Sequence, residues 1–254
     1  MAAKAVRRDL APPAKPRNVT PLRPEPVETV RAAGTRLYED LHGAILTGQM
    51  RPGEGLSETK VAEQYGISRT PVREVFRRLI EEGFLRVVPQ VGTFVAPINL
   101  AAVSDSQFIR ETMECRAVAL AAEKATAAQL RNLRRGLRTQ EQAIAAGDRA
   151  RFFAADEAMH HQLMTIAGHP AVWDLIGSAK AQLDRVRHLS LEEEDWLRMI
   201  YRQHQAIIEH ASARDVAGAE SAMREHLRTV FAAVNRIAER HADFFDAARR
   251  ARRR

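Results

Sequence analysis

Apolar residues recur at three- and four-residue spacing along most of this chain, and give way to a strand-like stretch only near residues 84–97. The first pattern marks amphipathic helices and the second marks strands. Near the N-terminus, Leu37, Leu41, Ile45 and Leu46 are spaced as the buried stripe of a first helix, which Pro52, Gly53 and Gly55 break. Ser57 is placed to cap a short second helix, and Gly66 follows it where a stop tolerant of positive φ is wanted. Ile67 plugs the turn, and a third helix opens with Ser68 or Thr70 as its cap. Pro71 suits its first turn, whose N–H groups have no intrahelical partner. Val72, Phe76, Leu79 and Ile80 form its apolar face, while Arg69, Arg73 and Arg77 recur every four residues on the other. Gly83 ends the run, residues 84–88 read as a strand, 89–92 as a turn and 93–97 as the returning strand.

Three helices and a hairpin make a winged helix-turn-helix. A helix with one arginine face and one apolar face suits the major groove of double-stranded DNA. A basic helix alone would read as an ordinary solvated surface. The ordered run of helix, glycine turn, arginine helix and wing is what carries the DNA reading.

Beyond residue 100 strand signals are few. Long amphipathic segments span 104–125, 127–147, 148–168, 170–191, 193–213 and 215–245, joined by short connections. Short connections favour antiparallel neighbours. The expected fold is therefore mainly α: an N-terminal winged helix-turn-helix followed by a C-terminal all-α antiparallel bundle. The expected domains are a Pro-rich basic tail without ordered structure (1–30), the DNA-binding unit (31–97), the helical unit (98–246) and a basic tail (247–254).

Charge refines this only slightly. The net charge is +7, but the first 31 residues carry +4 and the last eight carry +5, so the body is slightly acidic. The basic balance belongs to the tails and does not by itself argue for nucleic acid. The single Cys115 fits a reducing compartment, and no signal peptide or bilayer-length apolar run is visible. A cytoplasmic protein without a membrane partner is expected.

In the helical half, Asp156 and His160 lie four residues apart on one helix face. His204 and His226 stand on two later helices. A carboxylate and three imidazoles would suit a divalent metal. Spacing alone does not bring them together, and among nine histidines a helical one is more often a surface or core residue. His161 points about 100° away from His160 and is not counted as a ligand.

The run SRTPVRE, followed by RRLIEEGFL and a VG-containing wing, resembles the GntR superfamily of bacterial transcription regulators. The resemblance implies that Arg69 and Arg73 reach base edges or phosphates, that Ser68 and Thr70 contact phosphates, and that Gly92 lets the wing tip approach the minor groove. Arg77 continues the same arginine series. One departure is Thr59, which stands where many members carry an arginine; the neighbouring Lys60 replaces charge but not a planar fork. The pattern D-x-x-x-H, then His204 before AIIEH, then REHL, resembles the FCD ligand domain of FadR-type members. In metal-binding members the matching positions are the ligands, which here are Asp156, His160, His204 and His226. Zinc is the first expectation for this set, with nickel or manganese as alternatives. The resemblance also places Arg110 where an arginine faces the cavity and meets an effector carboxylate; a salt bridge to Glu114 is its other reading. Arg185 and Arg187 are further candidates to reach the cavity.

The expected function is that of a sequence-specific transcriptional regulator, a repressor. It would bind a palindromic operator as a homodimer and respond to a small organic acid at a metal-containing cavity. A metal-dependent hydrolase or lyase is the rival from another class. Neither a separate general base nor a Ser/His/Asp, Cys/His or phosphate-loop arrangement supports it, so no enzymatic activity is expected. A constitutive DNA-binding protein with a purely structural metal is the third reading.

Overall fold

The computed structural model of the protein describes residues 27–190 and 194–245. The expected basic segment at 247–254 lies outside them, as does the Pro-rich segment up to residue 26. Helix α1 (Val27–Leu46) begins inside the segment expected to lack structure. A two-residue strand β1 (Gly55–Leu56) follows, then α2 (Glu58–Tyr65) and α3 (Arg69–Glu81). The hairpin is β2 (Leu85–Val88) and β3 (Gly92–Val95). Local chemistry explains the boundaries. The Ser57 side chain accepts from the Lys60 amide at the start of α2, and Gly66 ends it at φ 65°.

β3 lies between the other two strands, antiparallel to both, with Gly55 opposite Phe94 and Arg86 opposite Phe94 on the far side. β1 is an element the sequence pattern did not reveal. Two residues cannot display an alternation, and the Pro/Gly-rich run around them reads as a breaker.

Leu37, Ile45, Val72, Phe76, Leu79 and Phe84 fill the core of this unit, each almost wholly buried. Leu79→Ala should lower unfolding stability by about 2–5 kcal/mol, through lost transfer energy and the cavity left behind. Urea unfolding of the winged-helix signal checks this; a loss well below 1 kcal/mol would contradict the packing described.

The rest of the chain is helical: α4 (Leu100–Lys124), α5 (Ala127–Ala145), α6 (Arg149–Ala167), α7 (Ala171–Ala179), α8 (Ala181–Ser190), α9 (Glu194–Ser212) and α10 (Val216–Arg240). Asn99, Thr126, Asp148 and Asp215 each cap the following helix with a side-chain oxygen. α4 packs against α6, α9 and α10, and α5 against α6 and α9. None of the described helices is long and apolar enough to cross a membrane.

Two expectations are corrected. The segment 170–191 is not one helix, because it breaks at Lys180 into α7 and α8. Gly177 and Ser178 are weak helix formers just before the break, and the Ser106 hydroxyl lies 2.6 Å from both the Ala179 carbonyl at the junction and the Ala102 carbonyl of its own helix. The last helix stops at Arg240, and a short 3-10 turn (Ala242–Phe244) follows. That turn returns to the start of the bundle, where the Ile98 amide donates to the Phe244 carbonyl at 2.7 Å.

Candidate metal centre and nucleic-acid interface

α6 supplies Asp156 and His160 to the interior of the bundle, α9 supplies His204 and α10 supplies His226. All four are buried, and one ligand atom from each lies within 4.8 Å of the others. His226 Nε2 is 3.3 Å from both His204 Nε2 and His160 Nε2. Asp156 Oδ1 is 3.4 Å from His204 Nε2. Three imidazole edges and a carboxylate oxygen therefore face one point.

What the far sides of the rings touch decides what those edges carry. His204 Nδ1 is 2.8 Å from Gln140 Oε1, and His226 Nδ1 is 3.2 Å from Gln203 Oε1. Both amides are held the right way round by their other ends. Gln140 Nε2 donates to the Ala155 carbonyl, and Gln203 Nε2 donates to Thr229 Oγ1, whose own proton goes to the Glu225 carbonyl. His160 Nδ1 lies 2.5 Å from Glu114 Oε2, close although its N–H is aimed obliquely. With an oxygen acceptor beside each Nδ1, that nitrogen is the one placed to carry a ring proton. Three Nε2 lone pairs then converge on a carboxylate. Such a set repels itself unless a cation lies among it, so these residues fit a divalent metal.

The surrounding charges agree. Lys180, Arg110 and Arg187 meet four carboxylates, Glu114, Asp156, Glu157 and Asp184. This buried network has one negative charge in excess, which a divalent cation would offset. Burial alone would push the Glu114 carboxyl up, but Arg110 and His160 hold it down to about 2. Burial likewise opposes ionisation of Asp156, and the Arg187 guanidinium overrides it, leaving the group well below the usual carboxylate range. Burial lowers His204 to about 3 and pushes His226 well below its ordinary value, so both rings are neutral at physiological pH.

A pH prediction follows for the metal-free protein. Between about 3 and 6.5 the unfolded chain protonates the residue corresponding to His204 while the folded one does not. Glu114 behaves likewise between about 2 and 4.5. In both windows the unfolded state holds more protons, so stability rises with pH and falls on acidification. The urea midpoint should therefore decline as pH drops below about 6.5. A midpoint flat down to pH about 4 would contradict the burial of neutral histidines.

Beside the quartet is a small cavity of about 40 Å³, lined among others by Arg110, Asp156, Arg187, Trp196 and His226. Arg110 is buried and bonded to Glu114, its Nε donating at 2.5 Å, so it both faces the cavity and forms the alternative salt bridge. Arg185 does not reach the cavity lining, which corrects that expectation. Arg187 stands there instead, bonded to Asp156 and to Glu157 Oε1 at 2.6 Å. Residues two positions apart on a helix point to nearly opposite sides, so only one of the pair can face inward. Arg185 is buried on the other side of α8, with Nη1 donating to Gln182 Oε1 at 3.4 Å.

The residues expected to meet DNA are all exposed on the winged helix. Ser68 occupies the cap position of α3, but its hydroxyl makes no capping bond and is available. Thr70, Arg69 and Arg73 are exposed. Arg69 Nη2 is 3.3 Å and Arg73 Nε 3.5 Å from the same Glu58 oxygen, so α2 holds both guanidinium groups in the absence of DNA. Arg77 is exposed but bonded to Glu81 at 2.7 Å, and it lines a groove with Arg31 and Glu74 towards α1. Four-residue spacing drifts by about 40° per step, which carries Arg77 away from the other two. Gly92, at φ 148°, follows a wing tip where Gln90 also has positive φ and Val91 is exposed.

Comparison with known proteins gives a consistent picture. Residues 33–95 match the model of the bacterial regulatory proteins, gntR family, and residues 105–229 match the FCD domain model. An HTH-type transcriptional regulator in an unstable DNA locus of Streptomyces ambofaciens is 38% identical over 82% of this chain and 88% of its own. The HTH-type transcriptional repressor RspR of Escherichia coli is 35% identical over 83% of this chain and 92% of its own. Among solved structures, E. coli McbR/YncC superposes with a TM-score of 0.66 at 25% identity, covering 79% of this chain and 95% of that one.

Proposed function

The chain belongs to the gntR family of bacterial regulatory proteins and carries an FCD domain, and on that footing we propose that it is a cytoplasmic repressor whose operator binding is set from a metal centre in the helical unit. The observation that carries this reading is the convergence of three Nε2 atoms and Asp156 Oδ1 on one point. Asp156, His160, His204 and His226 would hold the ion, with zinc the first choice for a set of three nitrogens and one oxygen. A bound divalent ion with open positions offers a Lewis-acid partner for a carboxylate. Arg110 and Arg187 border the cavity with guanidinium forks suited to the same group. The proposed effector is accordingly a small organic acid.

The cavity is about 40 Å³, which holds roughly one water molecule. An organic acid would enter only if bordering side chains such as Phe153 or Trp196 swing aside. That tightness favours a second reading, in which the metal is structural and DNA binding is constitutive.

On DNA, two copies would place their α3 helices in successive major grooves of a palindromic site. Arg69 and Arg73 would leave Glu58 for base edges or phosphates, Ser68 and Thr70 would contact phosphates, and the wing tip at Gly92 would approach the minor groove. Footprinting of the DNA beside the gene, with excess non-specific competitor, tests the DNA half of the proposal. Two related half-sites, centred about one helical turn or a multiple apart, are expected. Protection that disappears under competitor, leaving only salt-sensitive phosphate attraction, would contradict it.

A further inference from the structure

We infer that helix α8 is a lever between the metal cavity and the recognition helix α3, and that Gln182 is the positioning residue through which it acts. The inference rests on the regulatory reading above.

The two long sides of α8 do different jobs. Lys180 at its start, Asp184 and Arg187 fall on one side, at spacings of three and four residues. That side is bound to α6: Lys180 Nζ is 2.6 Å from Glu157 Oε2, and Arg187 is bonded to Asp156 and Glu157. Arg187 thus holds one oxygen of Asp156 while the other faces His204. Ala181, Gln182 and Arg185 fall on the opposite side. Ala181 packs on the core of the winged helix.

Gln182 makes the specific connection. Its Nε2 donates to the Gly83 carbonyl at 2.7 Å, and its Oε1 accepts from the Asn99 amide at 3.2 Å. Gly83 lies in the turn between α3 and the wing, at φ 77°, and a Cβ there would sit 3.0 Å from Gln182 Nε2. Asn99 caps α4, the first helix of the bundle. One buried amide therefore ties the end of the recognition helix, the linker and α8 together. A shift of α8 along or about its axis cannot keep both bonds.

This seat of α8 is also imperfect. Arg185 is almost wholly buried, yet its Nε and Nη2 have no hydrogen-bond partner among the described residues. Buried guanidinium donors left unmet are costly, so a second position of α8 that gives Nε and Nη2 of Arg185 an acceptor would compete with this one. Coupling between distant sites needs such an element with two arrangements that both sites bias. Anything that draws Arg187 away from Asp156, an effector carboxylate included, would bias it.

A double-mutant cycle on the full chain tests this, using an operator duplex selected by the wild-type protein from a random-sequence pool. Arg187→Lys keeps the charge but loses the fork, and Gln182→Met keeps the length but loses the bonds to Gly83 and Asn99, and with them the one from Arg185. Thermal unfolding confirms that each variant folds. Arg187→Lys is expected to change operator affinity by about fivefold or more in the wild-type background, and by less than about twofold beside Gln182→Met. Equal effects in the two backgrounds, or no effect of Arg187→Lys in either, would overturn the lever. Metal content measured on the same four proteins reports separately on the metal reading. Loss of metal without a background-dependent change in affinity would sink the lever and leave the metal centre standing.

Discussion

His204→Ala should leave a folded protein that purifies with little bound divalent metal. His204 is fully buried, and its Nε2 lies 3.3 Å from His226 Nε2 and 3.4 Å from Asp156 Oδ1. Removing a residue that merely orients a ligand typically weakens metal affinity by roughly 10–100-fold. Removing the ligand itself should exceed that. Competition with a chromophoric chelator measures the loss, and elemental analysis gives the stoichiometry. Gln140→Leu provides a graded companion, because it leaves the ligand in place and removes the acceptor of its Nδ1 proton. Its affinity should fall by about 10–100-fold. Wild-type metal content in His204→Ala would remove His204 from the site, and an unaltered affinity in Gln140→Leu would undo the assignment of the proton to Nδ1.

Arg73→Ala should weaken binding to the operator by about 1–3 kcal/mol, the range for a bidentate contact to a base edge. The side chain is exposed, and its charge partner among the described residues is Glu58 at 3.5 Å. Exposed pairs contribute little to stability, so the thermal midpoint and the metal content should stay near wild type. A base contact and a phosphate contact can be told apart. Loss of the first relaxes sequence preference at one position, whereas loss of the second weakens all sequences and shallows the salt dependence. Electrophoretic or fluorescence titrations with specific and scrambled duplexes at several salt concentrations make the distinction. Undiminished operator affinity would show that α3 does not use Arg73. Arg77→Ala should have the smaller effect, since Arg77 has drifted towards α1 and is bonded to Glu81.

The winged helix was legible in the sequence because its signals are local. Ser57, Gly66 and Gly83 punctuate it, and the apolar face of α3 has an unbroken helical period. β1 was not legible, because its two residues acquire strand geometry only by pairing with Thr93 and Phe94. At the break between α7 and α8 the Ala179 carbonyl meets the hydroxyl of Ser106, seventy-three residues away, and no local pattern announces such a contact.

In the bundle, the spacing of Asp156 and His160 on one face was readable. Their meeting with His204 and His226 is tertiary, and only the resemblance to FCD domains suggested it. Gln140 and Gln203 were missed. Gln140 left a signal, because it interrupts the stripe of Leu133, Leu137 and Ile144 along α5, and a polar side chain in such a stripe needs a buried partner. Arg185 and Arg187 could not be told apart without knowing which side of α8 faces α6.

Operator affinity of the full chain, metal-loaded and metal-stripped, across a series of small organic acids at fixed salt, bears most directly on control from the metal centre. At least one acid should shift the dissociation constant of the loaded protein by about fivefold or more, and the same acid should have no effect after stripping. An operator affinity indifferent to every acid in both forms, or an equal shift with and without metal, would contradict the account.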